Sequence, residues 1–169
     1  MKTQHHIRQA TRGDLHRLTA IYNQAVEAGM RTADTRTLSP FERKEWLESH
    51  LKSPKHPIFV AEADDNILGY LSVSPYRKGR EALRFAAEIS YYVDFHHHQK
   101  GIGTSLMEHA LQFCSDAGLK TLFAILLETN TASIALLTKF HFEKWATLPN
   151  IADFGRIEIS QVYYGRRVG

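Results

Sequence analysis

Residues Leu83 to Ala117 hold the pattern that most limits what this chain can fold into. Over Leu83–Asp94 the side chains Phe85, Ala87, Ile89, Tyr91 and Val93 alternate, which is the period of a strand. A loop with two glycines spaced by one residue follows, Gly101 and Gly103. Ile102, Leu106, Ala110, Phe113 and Ala117 then recur at helical spacing, and Gly118 suits the stop. A helix with a single apolar stripe must bury it against another element, so a strand running through a loop into such a helix demands a layered fold.

The flanking sequence continues the alternation. His5 to Ala10 is a candidate strand. Thr11 opens a helix with Asp14 as its capping partner, and Leu15, Leu18, Ile21, Tyr22, Ala25 and Val26 form its stripe up to Gly29. Ser39-Pro40-Phe41-Glu42 starts a second helix that carries Phe41, Trp46, Leu47 and Leu51 and ends at Ser53-Pro54. Ile58–Glu62 and Ile67–Ser74 read as a hairpin around Asp64-Asp65-Asn66. Thr121–Leu127 is an apolar strand, Thr131–Phe140 a short helix, and Phe142–Thr147 and Arg156–Tyr164 the last strands. The order predicts an α/β fold: a mixed central sheet of about seven strands flanked by about four helices. At 169 residues one domain over 1–169 is expected.

Composition narrows the function classes. Hydrophobic residues make up 43% and charged residues 23%, which suits a globular chain. The net charge of +3 is weak, and the basic residues lack interleaved aromatics, so no nucleic acid is expected. Cys114 is the single cysteine, which excludes an intrachain disulfide, and it falls on the apolar side of its helix. No apolar run approaches the roughly 20 residues of a membrane span, and Met1 to Arg8 is polar. The expectation is a cytoplasmic protein with no membrane partner. His96-His97-His98 carries no metal assignment, because adjacent side chains rarely face one ion.

Two stretches carry chemistry. From Tyr91 to Thr104 a strand ends, a glycine loop follows and a helix begins. Backbone N–H groups at a helix start are unpaired and the dipole there is positive. Gly101 and Gly103 remove side chains where a phosphate would approach, and Lys100 adds charge, so the stretch has the makings of a pyrophosphate cradle. A plain left-handed turn before a helix is the alternative. Asn130 opens the next helix, either as an N-cap or as an amide that reaches a ligand.

His98-Gln99-Lys100-Gly101-Ile102-Gly103 and the Asn130-led helix running to His141-Phe142 together resemble the Gcn5-related N-acetyltransferase (GNAT) superfamily. The resemblance covers Ile7 to about Tyr164. Ala20 to Val26, Phe41 to Trp46, Gly69-Tyr70, Ser74-Pro75-Tyr76, and Arg84-x-x-x-Glu88 before Ser90-x-Tyr92-Val93 look like its phosphinothricin/methionine-sulfoximine acetyltransferase branch. The resemblance implies acetyl transfer from acetyl-CoA to the primary amine of a small acceptor, and a homodimer. It implies that Tyr91, Tyr92 and Val93 offer backbone groups to the pantetheine arm, and that Gln99, Lys100, Gly101, Ile102, Gly103 and Thr104 hold the pyrophosphate. Asn130 and Ser133 would sit near the thioester. Glu88 matches the general base, with an ion pair to Arg84 as the structural alternative. Arg84 is the expected anchor for an acidic group on the acceptor, since a strand would place it on the face of Glu88, and Tyr76 is expected on the acceptor side.

The sequence also departs from the pattern. His98, Gln99 and His141 replace commoner residues in the two motifs. Leu83 and Ala86 stand where the branch often has Tyr and Thr. Leu137 occupies a position where the superfamily often has Tyr and the branch His, a side chain that commonly protonates the leaving thiolate. A CoA-binding module without turnover therefore stays open, as does acetylation of a protein or peptide amine, against which the basic loop Arg77–Arg84 argues.

Overall fold

The structure is a computed structural model that describes residues 4–169, so the first three residues of the polar start lie outside it. In chain order its elements are β1 (His6–Gln9), α1 (Leu15–Glu27), α2 (Pro40–Leu51), β2 (Ile58–Ala63), β3 (Asn66–Pro75), β4 (Ala86–Val93), α3 (Ile102–Asp116), β5 (Thr121–Leu127), α4 (Thr131–Lys139), β6 (Glu143–Asp153) and β7 (Glu158–Arg167). The strands form one seven-stranded sheet in the order β1-β2-β3-β4-β5-β7-β6. Every pairing is antiparallel except β4 with β5, so the sheet is mixed, as the element order predicts. Among the described residues no helix is long and apolar enough to cross a membrane.

Both faces of the sheet are covered, which is why β2 and β3 read as nearly continuous apolar runs. On β2, Phe59 and Ala61 point to one core, and Ile58 and Val60 to the other. The first core takes the stripe of α3, Ile102, Leu106, Met107, Ala110 and Cys114, all buried. The second takes Leu18, Ile21, Tyr22 and Val26 of α1 and Leu47 of α2. Burial pushes the Cys114 thiol up to about 12, which marks it as an inert core group. The start of α2 follows its sequence signal: the Ser39 hydroxyl accepts from the Glu42 amide at 3.3 Å, and the Glu42 carboxylate accepts from the Ser39 amide at 2.8 Å.

Three expectations need correction. First, no strand spans Leu83–Asp94. Glu81–Leu83 is a 3-10 turn, Arg84 has helical backbone angles, and β4 starts at Ala86. The neighbouring strand β3 ends at Pro75, opposite Ala87, and past it only the Tyr76 amide bonds across, to the Ala86 carbonyl at 3.2 Å, so residues before Phe85 have no strand beside them on that side. Second, α2 does not bury an apolar stripe. Phe41 is 85% exposed, while the buried positions are Arg43, Leu47 and His50. Third, β6 and β7 run on to Asp153 and Arg167. Pro149 is accommodated because β6 is an edge strand whose pairing is interrupted between Leu148 and Ala152.

Candidate active site

The site begins where the sheet comes apart. β4 pairs with β3 along its length, from Ala87 opposite Pro75 to Val93 opposite Gly69. Its pairing with β5 covers Ala86–Thr121, Ala87–Leu122 and Glu88–Phe123 and then stops. Past Glu88 the two strands diverge, so one edge of Ile89–Val93 faces an opening instead of a strand. An exposed strand edge of this kind can take an extended ligand by main-chain hydrogen bonds.

A cleft of about 380 Å³ occupies the wide end of that opening. Its walls include Tyr91, Tyr92 and Val93 of β4, Gln99 and Gly101–Thr104 at the start of α3, and Ser133 of α4 with Asn130 just before that helix. The sequence-predicted cofactor residues therefore converge, with one exception. The Lys100 ammonium turns back to donate to the His96 carbonyl at 3.0 Å, and Lys100 is absent from the cleft wall. A different cation stands beside the cradle: Lys139 donates to the Thr104 hydroxyl at 3.3 Å. In sequence it is only a residue near the end of a predicted helix, so nothing marked it.

The loop has a defined backbone shape. Gln99 and Gly101 both adopt left-handed angles, φ 60° and 83°, which turn the chain into α3. The first amide to donate back into α3 is Ser105, to the Gly101 carbonyl at 3.0 Å. The amides of Ile102, Gly103 and Thr104 precede that bond and form an anion-facing helix start. The strand end is braced from below. Buried Asp94 pairs with Arg17 and accepts from the His96 amide at 2.8 Å, while Gln24 accepts from the Phe95 amide at 3.0 Å. Burial raises the Asp94 carboxyl, but Arg17 and the His96 amide outweigh it and hold the group below its ordinary value.

Glu88 is the last residue of β4 before the split. It lines a second cleft of about 180 Å³ with Tyr91, Tyr92, Asn130 and Ser133, and a third of about 350 Å³ on the α1/α2 side. The three spaces share walls in sequence: Tyr91, Tyr92, Asn130 and Ser133 join the first to the second, and Glu88, Ser90 and Tyr92 join the second to the third. Burial alone pushes the Glu88 carboxyl above the ordinary carboxylate range. That environment disfavours the charged form, which makes the ionised carboxylate a stronger base than an exposed one.

The third cleft holds a cation that the sequence reading missed. Arg43 is 7% exposed and its guanidinium carbon lies 4.0 Å from the Trp46 ring centre and 4.4 Å from that of Tyr22. Its hydrogen bonds go to neutral oxygens, the Leu18 carbonyl at 3.3 Å and the Tyr70 hydroxyl at 3.2 Å. Arg43, Tyr22, Trp46, Tyr70 and Tyr92 share the wall with Glu88. The signal was present in sequence: an Arg at the spacing of Leu47 and His50 lies on one helical face.

Arg84 is elsewhere. Its side chain is half exposed, pairs with Glu81 at 3.3 Å and stacks on Phe85 at 4.3 Å. The shared strand face with Glu88 does not exist, because Arg84 is not in a strand. Nor does Arg84 pair with Glu88; its ion pair is with Glu81. Tyr76 stacks on Phe123 at 4.6 Å, next to the Glu88 pairing position, and lines none of the three clefts. Asn130 caps α4, accepting from the Ser133 amide at 3.3 Å, and also lines the cleft. Leu137 is fully buried in the α3 core.

Residues 18–142 match the acetyltransferase (GNAT) family. The chain belongs to the GNAT family. A phosphinothricin N-acetyltransferase of Streptomyces coelicolor is 31% identical over 153 residues, 89% of each chain. An L-methionine sulfoximine/L-methionine sulfone acetyltransferase of Salmonella typhimurium is 30% identical over 151 residues, 89% of this chain and 87% of that one. Among solved structures, a GNAT superfamily phosphinothricin acetyltransferase from Sinorhizobium meliloti in complex with AcCoA superposes with a TM-score of 0.91 at 25% identity, covering 99% of this chain and 90% of that one. This family member is accordingly an acetyltransferase.

Proposed function

We propose that this GNAT protein transfers the acetyl group of acetyl-CoA to the primary amine of a small acceptor with an acidic group, an amino acid or a phosphinothricin- or methionine-sulfoximine-like analogue. The observation that carries the reading is the position of Glu88: partly buried at the point where β4 and β5 separate, in the wall common to the two inner clefts. Acetyl-CoA supplies an activated acyl group on a thioester. The amides of Ile102, Gly103 and Thr104 bind its pyrophosphate, and the free edge of Tyr91–Val93 orients its arm. Glu88 takes the proton that an ammonium must lose before its nitrogen attacks. Arg43 replaces Arg84 as the anchor for the acceptor's acidic group, since a buried guanidinium held by neutral partners favours an anion beside it. The enzyme works in the cytoplasm as a homodimer, and exposed Ile151 and Ile157 on its edge hairpin supply apolar surface for a partner.

The test is a panel of amino acids and their sulfoximine, sulfone and phosphinate analogues with acetyl-CoA, read by thiol release and mass of the product. Glu88→Gln keeps the shape and removes the base. Turnover should fall about 10²–10⁴-fold with acetyl-CoA affinity unchanged. Because its pKa is raised on folding, Glu88 costs stability once pH exceeds the unfolded carboxylate value. Glu88→Gln should therefore melt no lower than wild type at pH 7. A Glu88→Gln enzyme with wild-type turnover would place the base elsewhere.

A further inference from the structure

Leu137 deprives α4 of a proton donor, and the structure shows another group in the space such a donor would reach. A helical side chain leans toward the N-terminus and covers the turn before its own Cα. A donor at position 137 would lie over the turn that holds Ser133, four residues earlier on the same face. The Tyr91 hydroxyl is already there, donating to the Ser133 carbonyl at 3.1 Å. It arrives from the opposite direction, off β4, and Tyr91 forms part of the wall of both the cofactor cleft and the cleft that contains Glu88.

We propose that the Tyr91 hydroxyl is the acid that protonates the departing CoA thiolate, in the role left open by Leu137. The assignment rests on the acetyl-transfer reading above. As the amine nitrogen bonds to the acetyl carbon, the carbon–sulfur bond breaks and its electron pair stays on sulfur. The Tyr91 proton passes to that sulfur and yields the CoA thiol. The tyrosinate recovers a proton from solvent through the open cleft, and Glu88 releases the amine proton to solvent. The balance is one amine and one thioester giving one amide and one thiol.

The surroundings keep the hydroxyl protonated and leave it free to turn. Burial pushes the Tyr91 phenol above its ordinary value, so it carries its proton throughout the neutral range. A phenolic O–H rotates about its C–O bond and can leave the Ser133 carbonyl for a stronger acceptor. The adjacent phenol does not compete. Successive strand residues face opposite sides of a sheet, and Tyr92 packs with Tyr22 and Tyr70 on the acceptor side, ring centres 5.0 and 5.5 Å away.

Two variants and one rate test it. Tyr91→Phe keeps the ring, and 3,5-difluorotyrosine at position 91 keeps the hydroxyl but lowers its pKa. The single-turnover rate with saturating acetyl-CoA and methionine sulfone reads the chemical step. Tyr91→Phe should lose about 10²-fold in that rate while CoA affinity by calorimetry stays within about twofold. The fluorinated enzyme should be active, with the basic limb of its pH–rate profile moved to lower pH. Tyr91→Phe at wild-type rate overturns the assignment and leaves the acetyl-transfer reading standing. A slow Tyr91→Phe together with an unmoved basic limb in the fluorinated enzyme also overturns it, since Tyr91 is then only a wall. A wild-type protein that binds acetyl-CoA and acetylates none of the panel amines overturns the reading and the assignment with it.

Discussion

Gly69 sits opposite Val93 at the end of β4, beneath the start of α3. A Cβ at this position would stand 3.0 Å from the Tyr92 carbonyl oxygen, 3.1 Å from Ile102 Cγ2 and 3.3 Å from Val93 Cα. Two of these atoms are backbone. The third belongs to a residue 1% exposed that is the first of α3, so none is a flexible tip that swings aside. Gly69→Ala must therefore push the helix start away from the sheet. Overpacking of this kind costs about 1–3 kcal/mol. Removing a glycine from the unfolded chain returns roughly 0.4–1 kcal/mol. The net loss is about 1–2 kcal/mol, and at roughly 2–4 °C per kcal/mol for a chain this size Tm should fall about 2–8 °C. The displaced atoms lead directly into the amides of Ile102, Gly103 and Thr104, so acetyl-CoA affinity should drop about tenfold, equivalent to ~1.4 kcal/mol. A thermal melt by circular dichroism gives the first quantity and titration calorimetry the second. An alanine variant with wild-type Tm would refute the close approach. A lowered Tm with wild-type affinity would refute the link between Gly69 and the cradle.

Gly103→Asp adds a side chain and a negative charge at the helix start, where even a Cβ meets Leu136 Cδ2 at 3.2 Å; acetyl-CoA affinity by calorimetry should fall at least about tenfold. Arg43→Met should raise the KM for acceptors with an acidic group and leave the acetyl-CoA KM near wild type, whereas exposed Arg84→Ala should change neither, and the steady-state comparison of the two decides between the anchors. Asp94 has a folded pKa below its unfolded value, so its contribution to stability is complete at neutral pH and drains away as pH falls through the folded value. Asp94→Asn should accordingly lower Tm at pH 7 and flatten the dependence of Tm on pH below about pH 4, measured by melts across that range.

The parts of the fold that sequence made legible are those where one local cause dominates. The Ser39-Pro40-Phe41-Glu42 start, the α1 stripe and the strand Thr121–Leu127 came through because capping chemistry or periodicity settled them without a partner. The left-handed turn into α3 was legible for the same reason: glycine spacing reports backbone shape directly. The acceptor side was not. Alternation through Phe85 looked like strand, but whether a strand forms depends on a neighbour, and Pro75 ends that neighbour. The buried face of α2 escaped because two of its hydrophobic residues, Phe41 and Leu51, are on the outside and an arginine joins Leu47 on the inside. An arginine counts as polar in any pattern, yet its flat cation suits the aromatic box of Tyr22, Trp46 and Tyr70. That box draws on three separate elements, a proximity the linear pattern does not carry.

The sheet of this protein is a zip fastener left partly open. Three residue pairs, Ala86–Thr121 to Glu88–Phe123, close the teeth between the β1-to-β4 panel and the panel of β5, β7 and β6. Above them the fabric gapes by the length of Ile89–Val93. An acyl-carrier arm lying along that edge would act as the slider and tie both panels through the backbone of one. Binding of this kind stabilises the folded state in proportion to the logarithm of ligand concentration. The empty enzyme should then exchange the amide hydrogens of Ile89, Tyr91 and Val93, which face the opening, before those of Ser90 and Tyr92, which face β3, and a cell short of acetyl-CoA would hold this enzyme not only idle but loosely fastened.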